Sequence, residues 1–275
     1  MKRGFEKGVL LSVLILLPGV LFPVQSAAQE ATAGSAKIHI VSDNVLIDQR
    51  LRPAWGFAAI IETPGMNILF DTGRDGDLLL SNMRQMQLTP DGVDLLFISH
   101  AHQDHTGGLA LFMAERPDVM LCLTDSTLGS IRHRLPADIR YTPVSAPTEI
   151  ATNISSTGEM RAGIPEQALI VETAEGLVIV TGCAHPGIDL IAAQAKQQTG
   201  RGIYLLAGGF HLSGASDRRV RDLIMRLKAL DVKKVAPSHC TGKRATELFR
   251  DAWGEDFIES GLGAVIPLPP LAGKH

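Results

Sequence analysis

The chain has 275 residues, of which 45% are hydrophobic and 20% charged, and a formal net charge of −3. That length allows one or two domains with a large core. The composition is that of an ordinary globular protein, and the charge lacks the cationic excess of a nucleic-acid footprint, so no nucleic-acid partner is expected. Lys2, Arg3 and Lys7 precede an apolar run from Val9 to Val24 that Pro18 interrupts, and small residues follow at Ser26, Ala27 and Ala28. This is the order of a secretory signal over residues 1–28. The run falls short of the roughly 20 apolar residues of a membrane span. The mature chain is therefore expected to be periplasmic or secreted, with no stable membrane anchor after cleavage. Residues 29–36 are small and polar, and residues 37–270 are expected to form a single domain.

Along that domain, "KIHIVSDNVLI" alternates like a strand. "WGFAAIIETPGMNILFDTG" reads as a hairpin turning at Thr63-Pro64-Gly65 and ending at Asp71. "DLLLSNMRQMQL" has helical spacing, "VDLLFISH" is a buried strand, "GGLALFMAERP" a short helix stopped by Pro117, and "VMLCLTD" a strand. Residues 124–165, rich in Pro, Ser and Thr, are expected to be loops and short strands. "ALIVETAEGLVIVTGCAH" is a second hairpin, turning near Glu175-Gly176. After it come the helix "GIDLIAAQAKQQTG", closed by Gly200, and the strand "IYLLAGGFH". The helix "SDRRVRDLIMRLKAL" has Ser216 or Asp217 as its cap. The strand "VKKVAPSH" and the helix "GKRATELFRDAWG" complete the order. Strands alternating with helices make an α/β architecture.

The histidines carry the chemistry. The chain has 9, and three of them, with an aspartate, fall within Ser99–Gly108, "SHAHQDHTGG". His100, His185, His211 and His239 each end an apolar strand, where α/β folds assemble their sites. His100 and His102, two apart on extended chain, point the same way. Asp104 and His105 follow after the chain turns. Imidazole with carboxylate is a ligand set for divalent metals, and a cluster of buried imidazoles without one would repel on protonation. His39, His133 and His275 lack such neighbours and read as structural or solvent-exposed. The three cysteines are too few for a disulfide framework. Cys122 reads as a buried small hydrophobe, while Cys183 and Cys240 adjoin selected histidines; export would make one bridge feasible.

"SHAHQDHTGG" resembles the H-x-H-x-D-H signature of the metallo-β-lactamase superfamily, and "NILFDTG" resembles the strand and turn that precede it there. "TGCAHPGI", "GGFHL" and "PSHCTG" resemble a narrower branch, the dihydropterin synthase-like metal-dependent hydrolases. The resemblance runs from about Ile38 to Leu268. It implies an αββα sandwich of two mixed β-sheets with helices on the outer faces. It also implies two divalent metal ions, zinc ahead of iron or manganese. His100, His102 and His185 would hold one ion, and Asp104, His105 and His239 the other, with Asp71 supporting a ligand and the turn. Where much of the superfamily has a bridging Asp, this chain has Cys183, which either bridges as a thiolate or lines the site. His211 is either a ligand or, as preferred here, a general acid or substrate contact. Trp55 stands where the branch commonly has a histidine, which puts the substrate in question.

This ligand set implies an exported dinuclear hydrolase that directs a metal-activated hydroxide at a small-molecule ester, lactone, amide or phosphodiester. Asp104 would position the nucleophile and His211 protonate the leaving group. Two alternatives stand beside it. One is a transferase resembling 7,8-dihydropterin-6-methyl-4-(β-D-ribofuranosyl)aminobenzene 5'-phosphate synthase, which export disfavours. The other is a metal-binding protein without catalysis.

Overall fold

The computed structural model describes Met1 and residues 36–273. The expected signal segment beyond Met1, and His275, lie outside the described residues. The chain runs β1 (Lys37–Ser42), β2 (Ala58–Glu62), β3 (Asn67–Phe70), α1 (Gly76–Gln85), β4 (Leu95–Phe97), α2 (Gln103–Thr106), α3 (Leu109–Glu115), β5 (Met120–Thr124) and α4 (Asp125–Ile131). It continues through β6 (Tyr141–Val144), β7 (Thr148–Ala151), β8 (Ile154–Ser156), β9 (Leu169–Thr173), β10 (Gly176–Thr181) and α5 (Ile188–Thr199). Last come β11 (Ile203–Gly209), α6 (Asp217–Ala229), β12 (Lys234–Ser238), α7 (Lys243–Trp253) and β13 (Val265–Pro267). No helix among the described residues is long and apolar enough to cross a membrane.

The strands form two sheets, ordered β13-β1-β2-β3-β4-β5-β6 and β12-β11-β10-β9-β8-β7. Both are mixed. In the first, β1, β2 and β3 pair antiparallel, then β3 through β6 pair parallel. In the second, β10, β11 and β12 are parallel and β7 through β10 antiparallel.

Burial on both faces explains why the central strands read as near-continuous apolar runs. Along β10, Val178 and Val180 pack into the cluster between the sheets, against Ile38, Ile61, Phe70 and Phe97. Leu177 and Ile179 pack the other way, with Ile191 of α5, Leu223 of α6 and Leu248 of α7. Ile60, Leu69 and Leu96 on the far face of the first sheet meet Leu79 of α1 and Phe112 of α3. The layers are therefore helix, sheet, sheet, helix, as an αββα sandwich requires. Phe57 meets Phe70 edge to face with centroids 6.1 Å apart, Phe70 stacks on Phe97 at 5.3 Å, and burying each ring is worth about 1.5–3 kcal/mol.

Local signals place the ends. Thr63 closes the first hairpin by donating its hydroxyl to the Met66 carbonyl at 2.6 Å. Asp75 accepts from the Leu78 N–H to cap α1, Ser216 caps α6, and α5 stops where Gly200 turns left-handed with φ 71. Three elements were not foreseen, the first being the single turn of α2. Residues 125–131 form α4, capped by Thr124 accepting from Thr127, inside a stretch expected to be irregular. Val265–Pro267 add an edge strand to β1.

Candidate metal centre

The strand ends converge. β3 delivers Asp71, β4 leads to Ser99 and His100, and the turn into α2 carries His102, Asp104 and His105. Beyond β10 come Cys183 and His185, beyond β11 His211, and beyond β12 His239 and Cys240. The His100 ring centroid lies 4.7 Å from that of His102, 4.2 Å from His105 and 4.8 Å from His185. His102 and His185 are 4.9 Å apart, His105 and His239 5.1 Å, and His185 and His211 4.4 Å. The Asp104 carboxylate reaches His105 Nε2 at 3.7 Å and His239 Nε2 at 3.5 Å.

Backbone strain is concentrated in the same place. Of the non-glycine residues with positive φ among those described, Asp71 (56), Ala184 (57), His211 (52) and His239 (50) belong to these turns. Each such conformation costs on the order of 1–3 kcal/mol and persists only where the surroundings over-determine it. Hydrogen bonds do that here. Asp71, fully buried, accepts from the Ser99 N–H at 2.7 Å, the Ser99 hydroxyl at 2.6 Å and His105 Nδ1 at 2.7 Å. Asn44 Oδ1 lies 2.9 Å from His239 Nδ1, and Ser99 Oγ lies 2.9 Å from His100 Nδ1. These contacts turn the Nε2 atoms inward and fix each ring, as ligating histidines require. Glycine is obligatory at 182, because a Cβ there would collide with Ser99 Oγ.

Glu166 supplies a support that sequence reasoning missed. It is fully buried, and it accepts the N–H groups of Cys183 at 2.9 Å, Ala184 at 2.9 Å and His185 at 2.8 Å. Asn44 and Ser99 were missed as well. Glu166 and Asn44 sit in no recognisable spacing, and Asn44 is 195 residues from its partner; Ser99 opens the histidine-rich stretch but is not a ligand type.

The electrostatics lower three of the imidazoles, those of His100, His102 and His185. Burial, and then repulsion from His105 and His185, holds His100 well below the ordinary imidazole value. Burial and the neighbouring His211 bring His185 down to about 3. Burial also lowers His102, against the pull of Asp104. His105 is raised, because the Asp71 carboxylate outweighs its burial. Asp104 lies well below the usual carboxylate range: burial pushes it up, but the pull of the His239 and His105 imidazoles beside it wins.

The donor set fits a metal. His100 Nε2, His185 Nε2 and His239 Nε2 are buried and have no hydrogen-bond partner, a costly state unless something else takes the lone pairs. Their donor atoms group with the Cys183 sulfur, as His100–Cys183–His185 and as His105–Cys183–His239, each set within 4.8 Å. Cys183 Sγ is 3.2 Å from His105 Nε2. His211 groups with Cys183 and Cys240 instead, and is exposed where the other two are buried. All three cysteines are free. His39 pairs with Glu62 at 3.1 Å and His133 lies on the surface, both away from this centre. Trp55, 47% exposed, lies 5.0 Å from the His239 ring.

Comparison with known proteins follows the same lines. The model of the metallo-beta-lactamase superfamily matches residues 56–121, the stretch from β2 to β5. The 7,8-dihydropterin-6-methyl-4-(beta-D-ribofuranosyl)-aminobenzene-5'-phosphate synthase of Methanocaldococcus jannaschii is 29% identical over 264 residues, spanning 76% of this chain and 88% of the synthase. A crystal structure described as a metal-dependent hydrolase of the beta-lactamase superfamily superposes with a TM-score of 0.71 at 26% identity, covering 85% of this chain and 99% of that one. A diphosphatase from the PhnP family shares the fold at a TM-score of 0.59 and 11% identity, over 86% of this chain and 100% of that one.

Proposed function

Because the chain belongs to the metallo-β-lactamase superfamily, we propose that it is an exported hydrolase that works with two divalent metal ions on a small-molecule ester, lactone, amide or phosphodiester. One observation carries this reading: His100, His185 and His239 have buried Nε2 atoms without a hydrogen-bond partner, and these rings group with the Cys183 sulfur in two adjoining sets. His100, His102 and His185 would hold one ion, and Asp104, His105 and His239 the second, with zinc ahead of iron or manganese for this mixed N/O set. Bound there, the ions would lower the pKa of a water toward about 7 and polarise the oxygen of the bond under attack.

The protein's own groups do the rest. Asp71 holds His105 by Nδ1 at 2.7 Å, so that ring offers Nε2 only. Asn44 does the same for His239 at 2.9 Å. Asp104, between His105 and His239, orients the attacking water and accepts its proton. His211, exposed beside His185, stands where a leaving group would depart and donates a proton to it. Trp55 offers an aromatic face to the substrate on the His239 side.

A second reading has an observation of its own. The synthase from Methanocaldococcus jannaschii matches 76% of this chain, which favours a transferase that condenses a pterin pyrophosphate with an aromatic amine and releases pyrophosphate. The order of charge, apolar run and small residues over residues 1–28 favours hydrolysis outside the cytoplasm instead.

The test is a panel of lactone, phosphodiester and β-lactam substrates, beside a synthase assay, each with and without chelator. Chelator-sensitive hydrolysis supports the first reading. Product in the synthase assay alone replaces it with the second.

A further inference from the structure

We propose that the cavity beside His185 and His211 seats an anionic group of the substrate, a phosphate or a carboxylate, and that Arg219 is the residue that selects for it. The inference rests on the reading of the metal centre as a substrate site.

The cavity measures about 140 Å³ and opens between the β10–α5 turn and the start of α6, with His185, His211, Asp189, Arg219 and Arg226 among its walls. Two of these walls are also walls of the metal centre, so a group seated here stays attached to a bond lying over the histidines. The charges in the cavity do not cancel. Arg226 is neutralised by Asp189 at 2.7 Å. The other arginines of α6 have partners too, Arg218 with Asp222 and Arg221 with Asp217, each at 4.0 Å. Of the four arginines on α6, Arg219 is the one without a side-chain hydrogen bond or ion pair among the described residues, and it lines the cavity.

The fold fixes its backbone. Ser216 caps α6 by accepting the backbone N–H of Arg219 at 3.4 Å. The loop before it is tied down by the Leu212 and Ser213 N–H groups donating to the Cys240 carbonyl at 3.1 and 3.0 Å. A guanidinium in the same cavity wall as His185 and His211, lacking a counter-ion, is suited to bind carboxylate or phosphate oxygens bidentately. A lysine would keep the charge but lose that fork.

The test uses the full-length, metal-loaded protein and two unreactive probes, phenylphosphonate and benzoate, titrated calorimetrically into wild type, Arg219→Ala and Arg219→Lys. Metal content is measured in each. Wild type is expected to bind one probe better than the other, which tells phosphate from carboxylate. Arg219→Ala should weaken that probe about 10- to 100-fold, as loss of a charged hydrogen-bonding partner does, with Arg219→Lys in between and metal content unchanged. Equal binding by wild type and Arg219→Ala, or no binding of either probe by wild type, overturns the inference. Hydrolysis by wild type is scored separately: turnover without dependence of probe binding on Arg219 leaves the proposed reaction standing and removes this subsite. Arg219-dependent binding without turnover does the reverse.

Discussion

Replacing Glu166 with glutamine probes how the centre is held. The carboxylate accepts three backbone N–H groups at 2.8 to 2.9 Å from the turn that carries Cys183 and His185. A glutamine of the same shape keeps one acceptor oxygen and puts an NH₂ where the other was. At least one N–H, that of His185 in the present arrangement, then faces a donor. A hydrogen bond to a charged group is worth about 1.5–3 kcal/mol, and a buried donor left unmade costs about 1–3 kcal/mol. The neutral amide is cheaper to bury than the carboxylate, which offsets part of this. The expected loss is about 2–4 kcal/mol, and at roughly 2–4 °C per kcal/mol for a domain of this size the melting temperature should fall by about 5–15 °C. Ala184, held at φ 57, is then free to relax, carrying His185 with it. Metal affinity should drop about 10- to 100-fold, as when a supporting partner of a ligand is lost. Thermal denaturation of the metal-free protein and a competitive zinc titration measure the two effects separately. An unchanged melting temperature with unchanged affinity would refute the reasoning, because it would mean that this carboxyl is not what pins the turn.

Further outcomes follow from the same geometry. Asp71→Asn should preserve the fold but weaken metal binding about 10- to 100-fold, since the amide can present a donor to His105 Nδ1; native affinity would show that the tautomer is fixed otherwise. His102→Ala should lose at least one metal equivalent and the activity with it, and full metal content in that variant would remove His102 from the ligand set. His211→Ala should retain its metal while turnover falls about 10²- to 10⁴-fold, the range of a lost general acid. Loss of a metal equivalent would instead make His211 a ligand.

Much of the fold could be read from the chain because period and punctuation agreed. In β10 and β11 the apolar run, the strand length and the flanking glycines point one way. In α6 the apolar spacing and the Ser216 cap coincide. The failures have a common cause. The helix α4, "DSTLGSI", has Gly129 and three Ser or Thr residues, so its formation depends on packing and the Thr124 cap rather than propensity. β13 is three residues long and exists only because β1 offers it an edge. At the metal centre, the histidines were visible because their spacing and strand-end positions repeat. Glu166, Asn44 and Ser99 were not: Glu166 and Asn44 act on a backbone and a ring brought to them by folding, Ser99 adjoins His100 but needs the distant Asp71 to fix its hydroxyl, and nothing in "GIPEQAL" announces that its glutamate will receive three amides. Cys183 shows the limit of motif reading: its place beside a histidine left two roles open, and the structure sets its sulfur within reach of both histidine groups.

The central claim is that the converging histidines hold metal, and elemental mass spectrometry of the purified protein tests it most directly. The account predicts close to two divalent ions per chain, removed by chelator and restored by zinc. Close to zero after reconstitution would contradict it, and would leave three buried, unpartnered imidazole nitrogens without the partner on which the whole reading depends.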